Sequence, residues 1–303
     1  MPINDAHCHF FSDQFFAALS RQRPPGTGQS TDDVVAALGW DPPGSPDALA
    51  DRWTQELDRH GVARAAIIAS EPGDESSVAR AVARHPSRFV GFFMVDPTSA
   101  EGPGTIETAL HEWTLRGVCL FPAMHRYALT DQRVEAVVQI AARHAGTAVF
   151  VHCGALSVGV RKKLGLQSRF EVRYGNPLDL HGLAASYPQV PFIIPHFGAG
   201  LFREALLVAD LCPNIYFDTS SSNKWMAYHP GLTLDTVLRQ SLEVVGPDRL
   251  LFGTDSSFFP RGWNRAVHDA QVSALDRAGV DEGVRARILG ANFDRLFPLP
   301  VLS

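Results

Sequence analysis

Cysteine is scarce in this sequence, which has 4 cysteines in 303 residues and no C-x-x-C pair. Disulfide-stabilised proteins are much richer in cysteine, so we expect Cys8, Cys119, Cys153 and Cys212 to be reduced. Long apolar runs are also absent, because no stretch approaches the roughly 18 residues that cross a membrane. The start lacks the basic segment and apolar core of a signal peptide. We therefore expect a cytoplasmic protein with no membrane partner.

A surplus of basic residues is missing too. The net charge is −5 and the pI is about 6.2, whereas a general nucleic-acid binder carries a basic surplus. With 45% hydrophobic and 19% charged residues, the chain can bury a large core. This composition favours a small molecule as the partner. Because dimers are the commonest symmetric assembly, a homodimer is the first assembly to expect.

The sequence does contain a regular alternation of apolar runs and helical patterns. Near-continuous apolar runs are typical of strands covered on both faces, and strands that alternate with helices predict a parallel sheet. Eight such units in about 300 residues match the size of a (β/α)8 TIM barrel. No linker divides the chain, so we predict an α/β fold with a single domain over 1–303. The predicted strands are 1–6, 63–69, 89–95, 117–121, 147–151, 191–195, 214–218 and 250–254.

Four of these runs lead directly to residues that bind metal ions. His7 and His9 follow the first run, His152 the fifth, His196 the sixth and Asp255 the eighth. Alternate residues of a strand face the same way, so the first two histidines lie on one face about 6 to 7 Å apart. The carboxyl ends of parallel strands gather at one edge of the sheet. We therefore expect these side chains to converge on one ion.

Each of these residues also has a simpler interpretation. His7 and His9 would merely form hydrogen bonds at the barrel mouth, Asp255 would cap a following helix, and His196 would be a structural histidine. Agreement between several strand ends favours metal binding over these alternatives. A zinc site of histidine and carboxylate ligands with one open position lowers the pKa of a bound water to about 7.

Several short motifs resemble those of the amidohydrolase superfamily. The similarity is closest to its amidohydrolase-related branch, which includes aminocarboxymuconate-semialdehyde decarboxylase, and it covers nearly the whole chain. The motifs are Asp5-Ala6-His7-Cys8-His9-Phe10, Val151-His152-Cys153, Ile194-Pro195-His196-Phe197-Gly198, Leu251-Phe252-Gly253-Thr254-Asp255 and Ile288-Leu289-Gly290-Ala291-Asn292.

The resemblance implies a metal-dependent TIM-barrel enzyme. It implies one divalent ion, most often zinc with manganese as the alternative, bound by His7, His9, His152 and Asp255. His196 matches a histidine that acts on the substrate or contacts the metal-bound water. Members with two metals carry a bridging lysine or glutamate after the fourth or fifth strand, where this chain has Phe121 and His152. A mononuclear site is therefore expected.

Candidate substrate contacts come from the loops at the same edge. Arg161 and Arg173 belong to a basic loop after the fifth strand, and Arg261 and Trp263 follow Asp255. Arginine presents a planar fork suited to a carboxylate, although a solvated loop explains the basic cluster equally well. Aromatic residues at this edge suggest an apolar pocket. An aromatic or unsaturated carboxylic acid, or its lactone or amide, fits both features.

Three functions are compatible with these residues. In hydrolysis, a metal-activated water attacks the substrate, Asp255 takes its proton, and the metal with His196 stabilises the oxyanion. In non-oxidative decarboxylation, the metal orients the substrate while His196 or Asp255 protonates the carbon that loses carbon dioxide. In the third case the barrel binds metal and ligand without turnover. We favour the hydrolase, because a mononuclear water site performs hydrolysis with the fewest additional groups.

Overall fold

Eight parallel strands form one sheet in the computed structural model, which describes residues 2–99, 102–220 and 223–299. The strands pair in chain order from first to last. A bridge between Cys8 and Ser256, with backbone hydrogen bonds from β1 to the segment after β8, closes the sheet into a barrel. The (β/α)8 prediction is thereby confirmed. Residues 1, 100–101, 221–222 and 300–303 of the predicted domain lie outside the described residues. The strands are β1 (Ile3–Phe10), β2 (Val62–Ala69), β3 (Phe89–Val95), β4 (Gly117–Leu120), β5 (Ala148–Val151), β6 (Phe192–Ile194), β7 (Ile215–Asp218) and β8 (Leu250–Leu251).

Helices separate the strands and surround the barrel. Their amphipathic sequences bury one face. In the helix Gln132–Arg143, for example, Val134, Val137, Val138 and Ala141 are buried after the N-cap Asp131. Among the described residues, no helix is long and apolar enough to cross a membrane. The helices are α1 (Asp13–Arg21), α2 (Thr31–Leu38), α3 (Pro46–Arg59), α4 (Glu75–Arg84), α5 (Gly102–His111), α6 (Pro122–His125), α7 (Gln132–Arg143), α8 (Gly159–Lys163), α9 (His181–Ser186), α10 (Phe202–Leu211), α11 (Leu234–Val245), α12 (Arg265–Arg277), α13 (Glu282–Ala286) and α14 (Asn292–Leu296).

The apolar side chains of the strands divide into two layers. Alternate residues point into the barrel, where they pack with Phe293 and Phe297 from the last helix and its end. The others point outward and pack against the helices, and Cys8 and Cys153 belong to this outer layer. All four cysteines are buried and free, as expected. Strand alternation therefore directs His7 and His9 inward, opposite to Cys8.

A third apolar cluster lies at the carboxyl edge, in the two long connections after β1 and β5. Its members come from the helices α1, α2 and α8, and we call these three helices the cap. The serines Ser12 and Ser30 cap α1 and α2, and Ser30 forms a complete capping box with Asp33. The cap is therefore ordered helix, not irregular loop. Its buried residues are Phe15, Phe16, Leu19, Val34, Val35, Leu38 and Val160.

Candidate active site

Three side chains meet at the mouth of the barrel with their donor atoms almost in contact. Nε2 of His7 lies 3.3 Å from Nε2 of His9, and Oδ1 of Asp255 lies 3.7 Å and 3.1 Å from these two atoms. A tetrahedral zinc ion with bonds of 2.0 to 2.2 Å requires ligand atoms separated by about 3.3 to 3.6 Å. The spacing and the donor types therefore fit a divalent metal ion.

The orientation of His7 is fixed by a carboxylate on another strand. Its Nδ1 donates to Oδ2 of Asp218, at the end of β7, over 2.5 Å. Burial opposes protonation of His7, but the charge of Asp218 raises the pKa of this imidazole above its usual value. The carboxylate therefore holds the proton on Nδ1 and leaves Nε2 facing the other donors, an arrangement characteristic of metal-binding histidines.

His9 is oriented in a similar way by a neutral partner. Its Nδ1 lies 2.7 Å from Oγ of Ser70, which follows β2, and this hydroxyl donates its own proton to the carbonyl of Ile68 over 3.0 Å. The hydroxyl oxygen must then accept from Nδ1 of His9. Nε2 therefore carries a lone pair, as metal binding requires.

Asp255 reaches the cluster through an unusual backbone conformation. Its φ is +57°, in the left-handed region that a non-glycine residue occupies at some energetic cost. Its N–H donates to the carbonyl of His7 over 2.9 Å, which ties it to β1. Burial raises the pKa of this carboxyl, but His9, His7 and His196 together hold it far below its usual range. Asp255 is consequently ionised, with 38% of its side chain exposed.

His152 and His196 lie beside this cluster and are buried. The ring of His196 stacks on that of His7 at 5.1 Å between centroids, and it lies 5.4 Å from the ring of His152. Within the described part of the chain, Nδ1 of His152 has no hydrogen-bond partner. Burial, and next the neighbouring histidines, lower the pKa of both rings, most strongly that of His152. Both are neutral and keep a nitrogen lone pair.

The structure thus brings together His7, His9 and Asp255, whereas His152 is not among the described donors that lie within 4.8 Å of one another. Ligation by His152 therefore stays a prediction. The backbone of His196 and Phe197 is left-handed, with φ of +57° and +53°. This turn directs the imidazole of His196 toward the barrel axis and onto His7.

Of the predicted substrate contacts, Arg261 lies nearest the cluster. Its Nη2 is 3.3 Å from the carbonyl oxygen of Asp255 and 2.9 Å from Oγ of Ser257, and its guanidinium lies 4.5 Å from the ring centre of Phe258. Phe258 stacks on Trp40 at 4.0 Å, and the ammonium of Lys163 lies 5.6 Å from the Trp40 ring. Aromatic faces and cations therefore meet between the cap and the barrel.

The other predicted contacts have partners of their own. Arg161 donates to Oε1 of Gln22 and to the carbonyl of Gln167, over 2.6 and 2.7 Å. Arg173 is paired with Glu171 at 2.9 Å and is 74% exposed. The structure does not bring these two guanidinium groups to the three donor atoms.

Trp263 also lies away from the pocket where we expected it. Its side chain is only 2% exposed, and its Nε1 donates to Oδ2 of the buried Asp5 over 2.7 Å. Asp5 also accepts from the backbone N–H of His7 and from Thr254. Trp263 therefore helps to hold β1 against the segment that carries Asp255. Its observed contacts are structural and do not include the three donor atoms.

Sequence reasoning missed four polar residues that support the ligands: Asp5, Ser70, Asp218 and Ser220. Asp218 and Ser70 stand at or just after the carboxyl ends of β7 and β2. The strand-end rule that found His152 and Asp255 could have identified them as well. Their partners, by contrast, depend on how the strands face one another across the barrel.

Comparisons with known proteins bear on the family and the fold of this chain. A family model described as an amidohydrolase matches residues 4–299. The curated protein fluG of Emericella nidulans is 37% identical over 109 residues, which are 35% of this chain and 12% of that protein. The chain therefore matches only about an eighth of the length of this relative.

Solved structures share the fold over nearly the full chain. A probable 2-pyrone-4,6-dicarboxylic acid hydrolase from Acinetobacter baumannii has a TM-score of 0.62 at 15% identity, covering 98% of this chain and 99% of that one. A 5-carboxyvanillate decarboxylase from Novosphingobium aromaticivorans, solved with bound manganese, has a TM-score of 0.62 at 15% identity, covering 98% and 96%. At these identities the similarity demonstrates the barrel alone.

Proposed function

Since this chain belongs to the amidohydrolase family, we propose that it is a metal-dependent hydrolase of small carboxylate-bearing aromatic or unsaturated substrates, such as amides or lactones. The observation that carries the proposal is the meeting of His7 Nε2, His9 Nε2 and Asp255 Oδ1 within 3.1 to 3.7 Å. We assign them, with His152 as the fourth protein ligand, to one zinc ion, with manganese as the alternative.

The chemistry follows from the protonation states beside these donors. A divalent ion held there supplies a Lewis acid that activates water and polarises a carbonyl oxygen. Asp255 is an ionised carboxylate at this site, and we assign to it the role of receiving the proton that an attacking water loses. His196 is neutral because burial lowers its pKa, so its free nitrogen also accepts a proton, which it can then pass to the leaving group. Two proton acceptors at one site suit attack by water.

Arg261 and the neighbouring aromatic rings support the substrate class. A carboxylate that enters beside Asp255 meets the guanidinium of Arg261, and a planar group meets Phe258 and Trp40. Lys163 adds a second positive charge above these rings. Arg261 is therefore our candidate for substrate recognition, in preference to the paired Arg173.

Decarboxylation is the second candidate, because a decarboxylase is among the structures with this fold. It requires His196 or Asp255 to protonate the carbon that loses carbon dioxide. We place hydrolysis first, because a metal-activated water at a mononuclear site performs it with the fewest additional groups. A barrel that only binds metal and ligand is the third possibility, and turnover distinguishes it from both enzymes.

Elemental analysis followed by a substrate panel tests the proposal. We expect about one zinc or manganese per chain, and acid release from aromatic carboxylates that carry an amide or lactone. Carbon dioxide release without acid would support the decarboxylase, and bound metal without any turnover would support the binding protein. His196→Asn should keep the metal and lose most of kcat, whereas His181→Asn, on the exposed surface of α9, should leave both unchanged.

A further inference from the structure

Ser220 connects the imidazole of His7 to that of His196. This serine lies two residues after the end of β7 and is fully buried. Its Oγ is 2.9 Å from Nδ1 of His7, 3.0 Å from Nδ1 of His196 and 3.0 Å from Oδ2 of Asp218. Its carbonyl oxygen is also 3.0 Å from Nδ1 of His196. One residue therefore contacts a candidate metal ligand, the carboxylate that orients it, and the candidate acid/base group.

The positions of the protons follow from these contacts. A carbonyl oxygen only accepts, so Nδ1 of His196 must carry a hydrogen. The Ser220 hydroxyl donates its single proton to Asp218, so its oxygen lone pairs are left to accept from the two imidazoles. If Nδ1 of His196 lacked its hydrogen, its lone pair would face two oxygen atoms at 3.0 Å. All the contacts are satisfied by one arrangement of protons.

We propose that Ser220 is a positioning residue that fixes His196 as the Nδ1–H tautomer and holds its ring, so that Nε2 keeps the lone pair used in the reaction. The consequence for catalysis rests on the proposed function, but the tautomer does not. Ser220 would then act through His196, because Asp218 alone still orients His7 when the hydroxyl is removed.

The closing experiment combines Ser220→Ala, His196→Asn and the double variant. We expect Ser220→Ala to keep its metal and to lower kcat roughly tenfold, within the range of 10 to 100 for residues that support a site. In the His196→Asn background it should have no further effect. Ser241→Ala is the matched control, because Ser241 is equally buried and its hydroxyl has no partner among the described residues.

Nitrogen NMR of histidine-labelled, zinc-loaded protein provides a second readout that needs no substrate. His196, assigned by the signal lost in His196→Asn, should show a protonated Nδ1 and an unprotonated Nε2. Ser220→Ala keeps the backbone carbonyl that accepts from Nδ1, so it should keep this tautomer but shift the Nδ1 signal, because one of the two acceptors is lost. Ser220→Cys, which preserves the volume, should shift the signal less. An unprotonated Nδ1 in the wild type, an Nδ1 signal that Ser220→Ala does not move, or metal loss that accounts for the lost activity of Ser220→Ala would overturn the proposal.

Discussion

Asp218 and His7 are 211 positions apart in the chain, yet Oδ2 of Asp218 accepts a hydrogen bond of 2.5 Å from Nδ1 of His7. The carboxylate increases the basicity of the imidazole and prevents its rotation. Asp218→Asn should therefore weaken metal binding by about 10- to 100-fold while the barrel stays folded. Competition with a chelator measures the affinity, and Asp210→Asn on the exposed side of α10 is the control. Equal affinities in the two variants would refute this role.

Metal content distinguishes the candidate ligands individually. Asp255→Ala removes one of three donors that already lie within 3.7 Å of one another, so most of the bound metal should be lost. His152→Ala should have the same effect if metal binding draws His152 into the site. Full metal content in Asp255→Ala would contradict the proposed metal site. Full metal content in His152→Ala, with metal loss in Asp255→Ala, would mean that the site has three protein ligands and not four. Circular dichroism verifies that both variants are folded.

The candidate ligands at the strand ends were predictable because an apolar run followed by His or Asp can be recognised in the local sequence alone. Alternation within β1 places His7 and His9 on one face, and the rule that ligands gather at the carboxyl ends of parallel strands predicts that Asp255 joins them. In the structure the donor atoms of these three residues lie within 4.8 Å of one another, and their binding of a metal ion stays a prediction. Helical patterns in the sequence likewise predict helices over 46–60, 76–85 and 131–143, which agree with α3, α4 and α7 to within one residue at each end.

The supporting contacts were not predictable in the same way. Whether Asp218 meets His7, or Trp263 meets Asp5, depends on the closure of the barrel and on turns with left-handed residues such as Asp255. Trp263 was expected in the pocket because aromatic residues after a strand end commonly line one, but its indole is buried and donates to Asp5. Two cap helices begin at serine N-caps, Ser12 and Ser30, which are local signals that the sequence itself carries.

Gly253 permits Asp218, Ser220 and His7 to approach one another. A Cβ atom at position 253 would lie 2.6 Å from Oδ1 of Asp218 and 3.0 Å from the Cβ atoms of His7 and Ser220. Gly253→Ala should therefore lower the free energy of unfolding by about 1 to 3 kcal/mol, as overpacking does, and should weaken metal binding as well. Denaturant titration measures the first effect. Gly182→Ala, where a Cβ meets nothing within 4 Å, is the control and should be neutral or stabilising.

Arg261 and Arg173 provide a matched test of substrate recognition. Arg261 lies 3.3 Å from the Asp255 carbonyl, whereas Arg173 is exposed and paired with Glu171. Arg261→Gln should raise KM for anionic substrates about tenfold or more, since a charged hydrogen bond contributes roughly 1.5 to 3 kcal/mol, and it should affect neutral analogues much less. Arg173→Gln should change neither. If Arg173→Gln raised KM for anionic substrates more than Arg261→Gln, substrate recognition would belong to the loop after β5.

Asp74, which is buried next to Ser12, should make stability depend on pH. Burial raises the pKa of this carboxyl from 3.8 to about 6, so the folded state binds the proton more tightly than the unfolded state. The contribution of Asp74 to the free energy of unfolding therefore falls as pH rises from about 4 to 6, by at most about 3 kcal/mol, and stays low above that range. Asp74→Asn should remove this dependence, as measured by denaturant titration at several pH values. Asp32→Asn, on the exposed face of α2, should retain it.

The cap has a hydrophobic core of its own, and within the described part of the chain this core shares no buried residue with the two cores of the barrel. Substitutions in the cap are therefore separated in space from the packing of the strands. Replacement of Phe15, Val34 or Val160 changes the packing beside Trp40 and leaves the side chains between the strands and the outer helices in place. A chain built in this way can vary its cap during evolution while β1 continues to hold His7 and His9.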